Sequence, residues 1–138
     1  MEKLPPKTHK ALLEAIQNTQ HNQRMTLVLA LNYSAKWEIL EATRKISALV
    51  KAGQIDADHI NEELFSASLS THGIPDPELL IRTSGETRLS NFLLWQIAYS
   101  ELYFTDIFWP EFNKDAFYKA IINYQNRERR FGKTSEQL

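Results

Sequence analysis

The feature that most constrains the fold is the way the spacing of apolar residues changes along the chain. Residues 26–33 and 79–81 are short, nearly continuous apolar runs, which are typical of strands covered on both faces. A third strand is predicted over residues 101–104. Between these runs, apolar residues recur every three or four positions, the spacing of an amphipathic helix. The predicted order is α-β-α-α-β-α-β-α, and this alternation favours an α/β fold with an open, mostly parallel sheet and helices on both faces.

Helix boundaries are indicated by residues that suit the free backbone groups at helix ends. Pro5 and Pro6 suit the entrance of the first helix, because a missing N–H is harmless there. The helical pattern of residues 36–50 is followed by Gly53, a typical C-terminal stop. The residues predicted to cap the remaining helices are Asp56, Ser90 (for a helix over residues 91–96) and Asn113.

Length and composition narrow the class of protein. The chain has 138 residues without a repeat or a Gly/Ser linker, which fits a single domain. It contains no cysteine, which excludes disulfides, thiolate metal sites and cysteine nucleophiles. The net charge of −1 argues against a bulk nucleic-acid binder, and no apolar run approaches the ~20 residues of a membrane span. Three strands are few for such a sheet, so we expect the chain to begin partway through a larger α/β domain.

The most informative stretch is residues 81–90, where a predicted strand ends, a polar loop follows and a predicted helix begins. Ligands of open α/β sheets bind at the carboxyl ends of strands, and a helix N-terminus attracts anions. Arg82 and Arg88 flank the loop, and their guanidinium groups with the Ser90 hydroxyl suit the oxygens of a phosphate or diphosphate. The alternatives are that Ser90 is only a helix cap and that the arginines are solvated or paired with a carboxylate such as Glu86.

Two further charged features have both a functional and an ordinary interpretation. Glu101 opens the third predicted strand and could help to hold Mg²⁺, which takes one or two carboxylates plus substrate phosphate oxygens; the alternative is a solvated charge. The basic stretch 127–130 suits the C-terminal end of a helix, where cations interact favourably with the helix dipole, or could reach a phosphate or a partner's active site. The four histidines show no metal-ligand spacing.

The most distinctive stretch of the chain is residues 76–96, which read DPELLIRTSGETRLSNFLLWQ. It closely resembles the cis-prenyltransferases, in particular those of the undecaprenyl diphosphate synthase (isoprenyl transferase) type. The likeness continues through residues 98–106, 109–110 and 127–132, and an earlier piece covers residues 31–33 and 37–39. The resemblance therefore spans nearly the whole chain and is most specific in its second half.

The resemblance implies an open α/β fold with a hydrophobic tunnel, working as a homodimer. It implies the Mg²⁺-dependent addition of isopentenyl diphosphate to an allylic diphosphate of the farnesyl type, giving a cis-polyprenyl diphosphate for lipid carrier synthesis. It also implies a cytoplasmic location, with peripheral membrane contact through the lipid product. An excess of aromatic residues between positions 92 and 104 is consistent with a dimer interface.

Roles follow from the resemblance by motif position. Glu101 would be a Mg²⁺ ligand that reaches across the dimer. Arg130 and Gly132 are similar to the family's Arg-x-Gly element, which completes the partner's site. The residues implied to bind the diphosphate of isopentenyl diphosphate are Arg82, Arg88, Leu89 (through its backbone) and Ser90.

The chain also departs from the family pattern. The family's opening strand with Met-Asp-Gly-Asn-Gly-Arg-Trp, which supplies the aspartate for Mg²⁺ and the allylic diphosphate, has no match here. We therefore expect residues 1–138 to form one partial domain, the C-terminal part of the family fold, without a catalytic residue of its own and weak or inactive alone. Residues 34–36 stand where Gly-Gly-Arg is usual, and Thr87 where His is frequent. The alternatives are a non-catalytic accessory or truncated subunit that pairs with a full-length enzyme and, less favoured, a generic phosphate-binding module.

Overall fold

A computed structural model describes residues 4–128, which belong to two compact units divided between Asn32 and Tyr33. In the first unit, helix α1 spans Pro6–Thr19, and a proline at its first position confirms the predicted entrance. The predicted strand over residues 26–33 is wrong. Residues 25–30 have no regular structure, and the side chain of Leu27 is 75% exposed. A strand exists only where its backbone is paired, and the described sheet contains two other segments alone.

Over its described residues, 33–128, the second unit carries three α-helices and two strands. Helix α2 (Ala35–Lys51) packs against α3 (Glu62–Ser68). Helix α4 (Lys114–Gln125), whose Ala116 and Ala120 are buried, packs against β2 (Glu101–Phe104). Short 3₁₀ turns occur at Ala57–His59 and Trp109–Glu111. The elements of the unit are α2 (Ala35–Lys51), α3 (Glu62–Ser68), β1 (Leu79–Arg82), β2 (Glu101–Phe104) and α4 (Lys114–Gln125).

The sheet is parallel, as predicted. Leu79 of β1 is opposite Glu101 of β2, and Arg82 is opposite Phe104. The register places the carboxyl ends of both strands at one edge of the sheet. Among residues 4–128 the sheet has two strands rather than the predicted three.

One of the three predicted helix caps, Asn113, caps the helix for which it was predicted. Asn113 caps α4, because its side chain accepts from the N–H groups of Asp115 and Ala116, both at 3.1 Å. Asp56 caps a 3₁₀ turn, and the α-helix that follows is capped instead by Asn61. No helix within the described residues is both long enough and apolar enough to cross a membrane.

The predicted helix over residues 91–96, capped by Ser90, is wrong. Residues 90–99 form a series of turns. Ser90, Asn91 and Leu93 have φ values of 52°, 62° and 47°. These left-handed conformations cannot continue a right-handed helix. Contacts with a distant part of the chain, described below, stabilise this geometry over the local preference.

Candidate functional site

The candidate site begins where β1 ends. Arg82 is the last residue of β1, and residues 82–90, here called the arginine loop, lead away from the sheet. The N–H of Gly85 donates to the carbonyl of Thr105 at 3.0 Å, and the N–H of Thr105 donates to the carbonyl of Arg82 at 3.0 Å. The loop therefore has a fixed base at the carboxyl end of the sheet, the place where open α/β sheets bind ligands.

The side chain of Arg82 has a buried hydrogen-bond donor. Its side chain is half-buried, and its Nε atom is buried without a hydrogen-bond partner among the described residues. A buried donor that lacks an acceptor costs free energy. An anion accepting from this guanidinium group would remove that cost.

Arg88 lies near the other end of the arginine loop and is exposed. Its guanidinium group forms an ion pair with Glu86, so the sequence alternative of a carboxylate partner is found for this residue. The Arg88 side chain is largely open to water, which screens the pair and limits its contribution to stability. A diphosphate could replace Glu86 as the partner of Arg88 at small cost.

Ser90 and Leu89 complete the predicted diphosphate set. Ser90 is exposed and does not cap a helix, so the interpretation of Ser90 as a pure cap is wrong. Leu89 is half-buried, and its carbonyl accepts from the N–H of Phe92 at 3.2 Å. Arg82, Arg88, Leu89 and Ser90 thus all lie within the arginine loop.

Glu101 lies away from the arginine loop. It is the first residue of β2, at the amino end of the sheet, whereas the arginine loop leaves the carboxyl end. The Nη1 atom of Arg127 donates to Glu101 Oε2 at 2.8 Å, and the same guanidinium group also donates to Asn123 Oδ1. Arg127 thus neutralises the carboxylate that the resemblance assigns to Mg²⁺.

The fit of Mg²⁺ to this site depends on one carboxylate. Glu101 is partly exposed, and no group of three or more His, Asp or Glu side chains within residues 4–128 could hold an ion. Mg²⁺ commonly takes one or two carboxylates and completes its shell with water and phosphate oxygens, so Glu101 fits if Arg127 gives way. Arg130 and Gly132, predicted to complete a partner's site, lie outside the described residues.

A buried polar cluster centred on Glu38 was not predicted. Glu38 of α2 is only 2% exposed. Its carboxylate accepts from the Tyr33 hydroxyl, from the hydroxyl and N–H of Ser70, and from Gln96 Nε2 at 2.9 Å. The available sequence signal was that Glu38 lies at helical spacing from the buried Ala42 and so belongs to the apolar face of its helix.

The hydrogen bonds decide the charge of this cluster. Burial alone would raise the pKa of the Glu38 carboxyl. The donors Ser70, Tyr33 and Gln96 outweigh burial, so the pKa of Glu38 is lowered and the group is ionised near neutral pH. Burial raises the pKa of Tyr33, and its hydrogen bond to Glu38 and the nearby negative charge raise it further. Tyr33 therefore remains a proton donor to a buried carboxylate.

Comparisons with known proteins agree with the fold. The family described as "Putative undecaprenyl diphosphate synthase" matches residues 1–132. The chain is 53% identical over 138 residues to the isoprenyl transferase of Chlorobaculum tepidum, covering 100% of this chain and 52% of that protein. It is also 53% identical over 132 residues to the (2E,6E)-farnesyl-diphosphate-specific ditrans,polycis-undecaprenyl-diphosphate synthase of Micrococcus luteus, covering 96% and 53%.

A solved structure of a prenyl diphosphate synthase is also similar to this chain. Lavandulyl diphosphate synthase from Lavandula x intermedia, in complex with dimethylallyl diphosphate, superimposes with a TM-score of 0.88 at 40% identity, over 96% of this chain and 57% of that one. The chain belongs to the cis-prenyltransferase family of undecaprenyl diphosphate synthases. The resemblance and the α/β fold class are thereby confirmed. The chain spans about half the length of the curated relatives that it matches.

Proposed function

We propose that this chain carries the isopentenyl diphosphate site of an isoprenyl transferase. The enzyme would condense isopentenyl diphosphate with an allylic diphosphate of the farnesyl type to give a cis-polyprenyl diphosphate. The names of the relatives support prenyl transfer as the reaction class. The observation that carries the assignment of the site is the buried, unpartnered Nε of Arg82 at the base of a loop that also presents Arg88 and Ser90.

The arginine loop acts by binding and orienting. Arg82 and Arg88 would hold the diphosphate oxygens through charge-assisted hydrogen bonds, and Ser90 would add a hydroxyl donor. A fixed diphosphate places the double bond of isopentenyl diphosphate in one orientation, which lowers the entropic part of the barrier. Leu89 would contribute through its backbone, between the two polar contacts.

Mg²⁺ and a second copy of the chain belong to the same proposal. When bound, Mg²⁺ stabilises the negative charge on a departing diphosphate, and Glu101 would be its ligand. Because Glu101 and the arginine loop lie at opposite ends of the sheet, Glu101 would serve the site of a second protomer in a homodimer. Exposed aromatic side chains, including Tyr99 and Trp109, would supply apolar area for that interface. Arg130 and Gly132 would complete the partner's site, and the location would be cytoplasmic with peripheral membrane contact.

The first test is calorimetric titration of the purified chain with isopentenyl diphosphate, with and without Mg²⁺. We expect saturable binding that is lost in Arg82→Ala. The matched control is Arg44→Ala, because Arg44 is an exposed arginine of α2 that pairs with Glu41. A chain that is folded by circular dichroism but does not bind would contradict the proposal, as would equal losses in both variants.

A second test addresses activity. The chain alone should give little polyprenyl product from farnesyl diphosphate, isopentenyl diphosphate and Mg²⁺, since the resemblance assigns no catalytic residue to it. Normal product from the chain alone would contradict that part of the proposal. A gain in activity on mixing with a full-length isoprenyl transferase, together with co-purification, would favour the accessory-subunit alternative.

A further inference from the structure

The last residue of the arginine loop and the residues that follow it adopt an unusual backbone. Ser90, Asn91 and Leu93 all have positive φ, three non-glycine residues within four positions. Such conformations cost free energy for residues with a Cβ atom and persist only where surrounding contacts over-determine them. Asparagine is among the residues that tolerate this region best, which singles out Asn91 as the centre of the turn.

Asn91 is attached to the first turn of α2. Its carbonyl accepts from the N–H of Ala35 at 3.0 Å, and its Oδ1 accepts from the N–H of Lys36 at 2.9 Å. Its Nδ2 donates to the hydroxyl of Ser34, the cap of the helix, at 2.8 Å. The first N–H groups of a helix have no partner within the helix. Asn91 satisfies two of them and fixes its own position in doing so.

A second attachment lies five residues further along the chain. Gln96 is 5% exposed, and its Nε2 donates to Glu38, which lies on the same helix. The same Nε2 also donates to Thr71 Oγ1 at 2.7 Å. Residues 91–96 are therefore held at both ends by α2 and its surroundings, so that the rigid helix serves as a base for the segment.

We propose that Asn91 is a positioning residue for the diphosphate site, holding Ser90 and Arg88 in their binding geometry by fastening the end of the arginine loop to α2. The inference rests on the proposed function, because the geometry matters only if the loop binds a diphosphate. Ser90 immediately precedes Asn91, so a change in the Asn91 backbone redirects the Ser90 hydroxyl. No other standard side chain combines this tolerance of positive φ with both an amide acceptor and an amide donor.

The test compares variants of Asn91 by titration with isopentenyl diphosphate and by thermal unfolding. Asn91→Ala removes both side-chain hydrogen bonds and should weaken binding on the order of tenfold. Asn91→Gly should weaken binding to a similar extent while costing less in melting temperature, because glycine accepts positive φ without strain. Asn91→Asp keeps an acceptor for Lys36 and should lie between Asn91→Ala and the original chain in affinity.

The matched control is Asn113→Ala. Asn113 caps α4 with two hydrogen bonds and is not part of the arginine loop. It should lower the melting temperature without changing the affinity. Wild-type affinity in Asn91→Ala, or an equal loss of affinity in Asn113→Ala, would overturn the inference.

Hydrogen exchange separates this inference from the proposed function. In Asn91→Ala the amides of residues 88–93 should exchange faster than in the original chain, whereas Asn113→Ala should leave them unchanged. If the original chain does not bind isopentenyl diphosphate, the proposed function fails, and the role of Asn91 toward the diphosphate fails with it. Binding by the original chain with unchanged exchange in Asn91→Ala would overturn the inference alone.

Discussion

Glu101 and Arg82 lie at opposite ends of the same two-stranded parallel ladder. Glu101 is opposite Leu79 at the amino end, and Arg82 is opposite Phe104 at the carboxyl end. Since a strand rises about 3.3 Å per residue, the two positions are roughly 10 Å apart along the strands. A carboxylate and a guanidinium group proposed for one reaction thus face different edges of the sheet within one copy of the chain.

This separation predicts that Glu101→Gln leaves the Mg²⁺-free affinity for isopentenyl diphosphate unchanged. Arg82→Ala should lower the same affinity on the order of tenfold or more, because it removes a charge-assisted contact. Calorimetric titration in the presence of a chelator measures the affinity of both variants for isopentenyl diphosphate. A comparable loss in Glu101→Gln would show that the two residues act on one diphosphate without a metal.

The pair between Arg127 and Glu101 yields a second prediction. The two side chains are 29% and 28% exposed, so water partly screens the pair, which contributes on the order of 1 kcal/mol to the free energy of unfolding. Arg127→Met should therefore destabilise the chain only slightly. It should also strengthen binding of Mn²⁺, used as a paramagnetic substitute for Mg²⁺, because the carboxylate loses its competing cation.

Denaturant unfolding and a Mn²⁺ titration followed by electron paramagnetic resonance test both parts. Arg44→Met is the control, since it breaks the pair with Glu41 on α2 and leaves Glu101 untouched. Unchanged Mn²⁺ binding in Arg127→Met would mean that Arg127 does not compete with a metal for Glu101.

The elements that could be predicted from sequence are those specified by local signals. The cap at Asn113, the helical pattern of residues 36–50 and the parallel pairing of β1 and β2 all depend on nearby residues or on alternation along the chain. The loop between Arg82 and Ser90 was found for the same reason, because strand, glycine and cations are contiguous. The alternative interpretation of Arg88, an ion pair with Glu86, could be predicted as well, because the two residues are close in sequence.

The features that were missed depend on distant contacts. Residues 91–96 have helical spacing, but the bonds of Asn91 to Lys36 join positions 55 apart in sequence and favour turns instead. The burial of Glu38 depends on donors such as Gln96, 58 positions away. The apolar run over residues 26–33 indicates a strand only if another strand pairs with it, which no pattern within the run can show.

A third prediction concerns Gly85 in the arginine loop. Gly85 has φ of 66°, and a Cβ atom added there would lie 3.1 Å from Asp106 Oδ1. The side chain of Asp106 can rotate away, so the main cost of Gly85→Ala is the left-handed backbone, about 1–2 kcal/mol. The loop should shift to relieve this strain, which should weaken isopentenyl diphosphate binding as well as stability.

Gly53→Ala provides the comparison, because Gly53 also has positive φ (68°) but meets no atom within 4 Å and lies at the end of α2. It should cost a similar free energy of unfolding and leave binding unchanged. Equal affinity in Gly85→Ala and the original chain would show that the loop conformation at this point does not control the site.

The final prediction uses the buried carboxylate of Glu38. Its pKa in the folded chain lies below the ordinary value of 4.5, so the stabilisation is present above that value and is lost as the pH falls through the folded pKa. Tyr33→Phe removes one donor and brings the pKa of Glu38 closer to its ordinary value. The substitution should cost about 1.5–3 kcal/mol near neutral pH, as expected for a hydrogen bond to a charged group. It should cost less in acid, where the carboxyl is protonated in both proteins.

Urea unfolding of both proteins at about pH 7 and at an acidic pH below the folded pKa of Glu38 measures the difference on each side of this transition. Tyr99→Phe is the control, since the Tyr99 side chain is 72% exposed and should show a small effect that does not depend on pH. If Tyr33→Phe destabilises the chain equally at both pH values, the Tyr33 hydroxyl does not stabilise the ionised form of Glu38. A penalty that shrinks in acid would instead establish Glu38 as a buried, charged residue of α2, the helix to which Asn91 attaches the residues that follow the arginine loop.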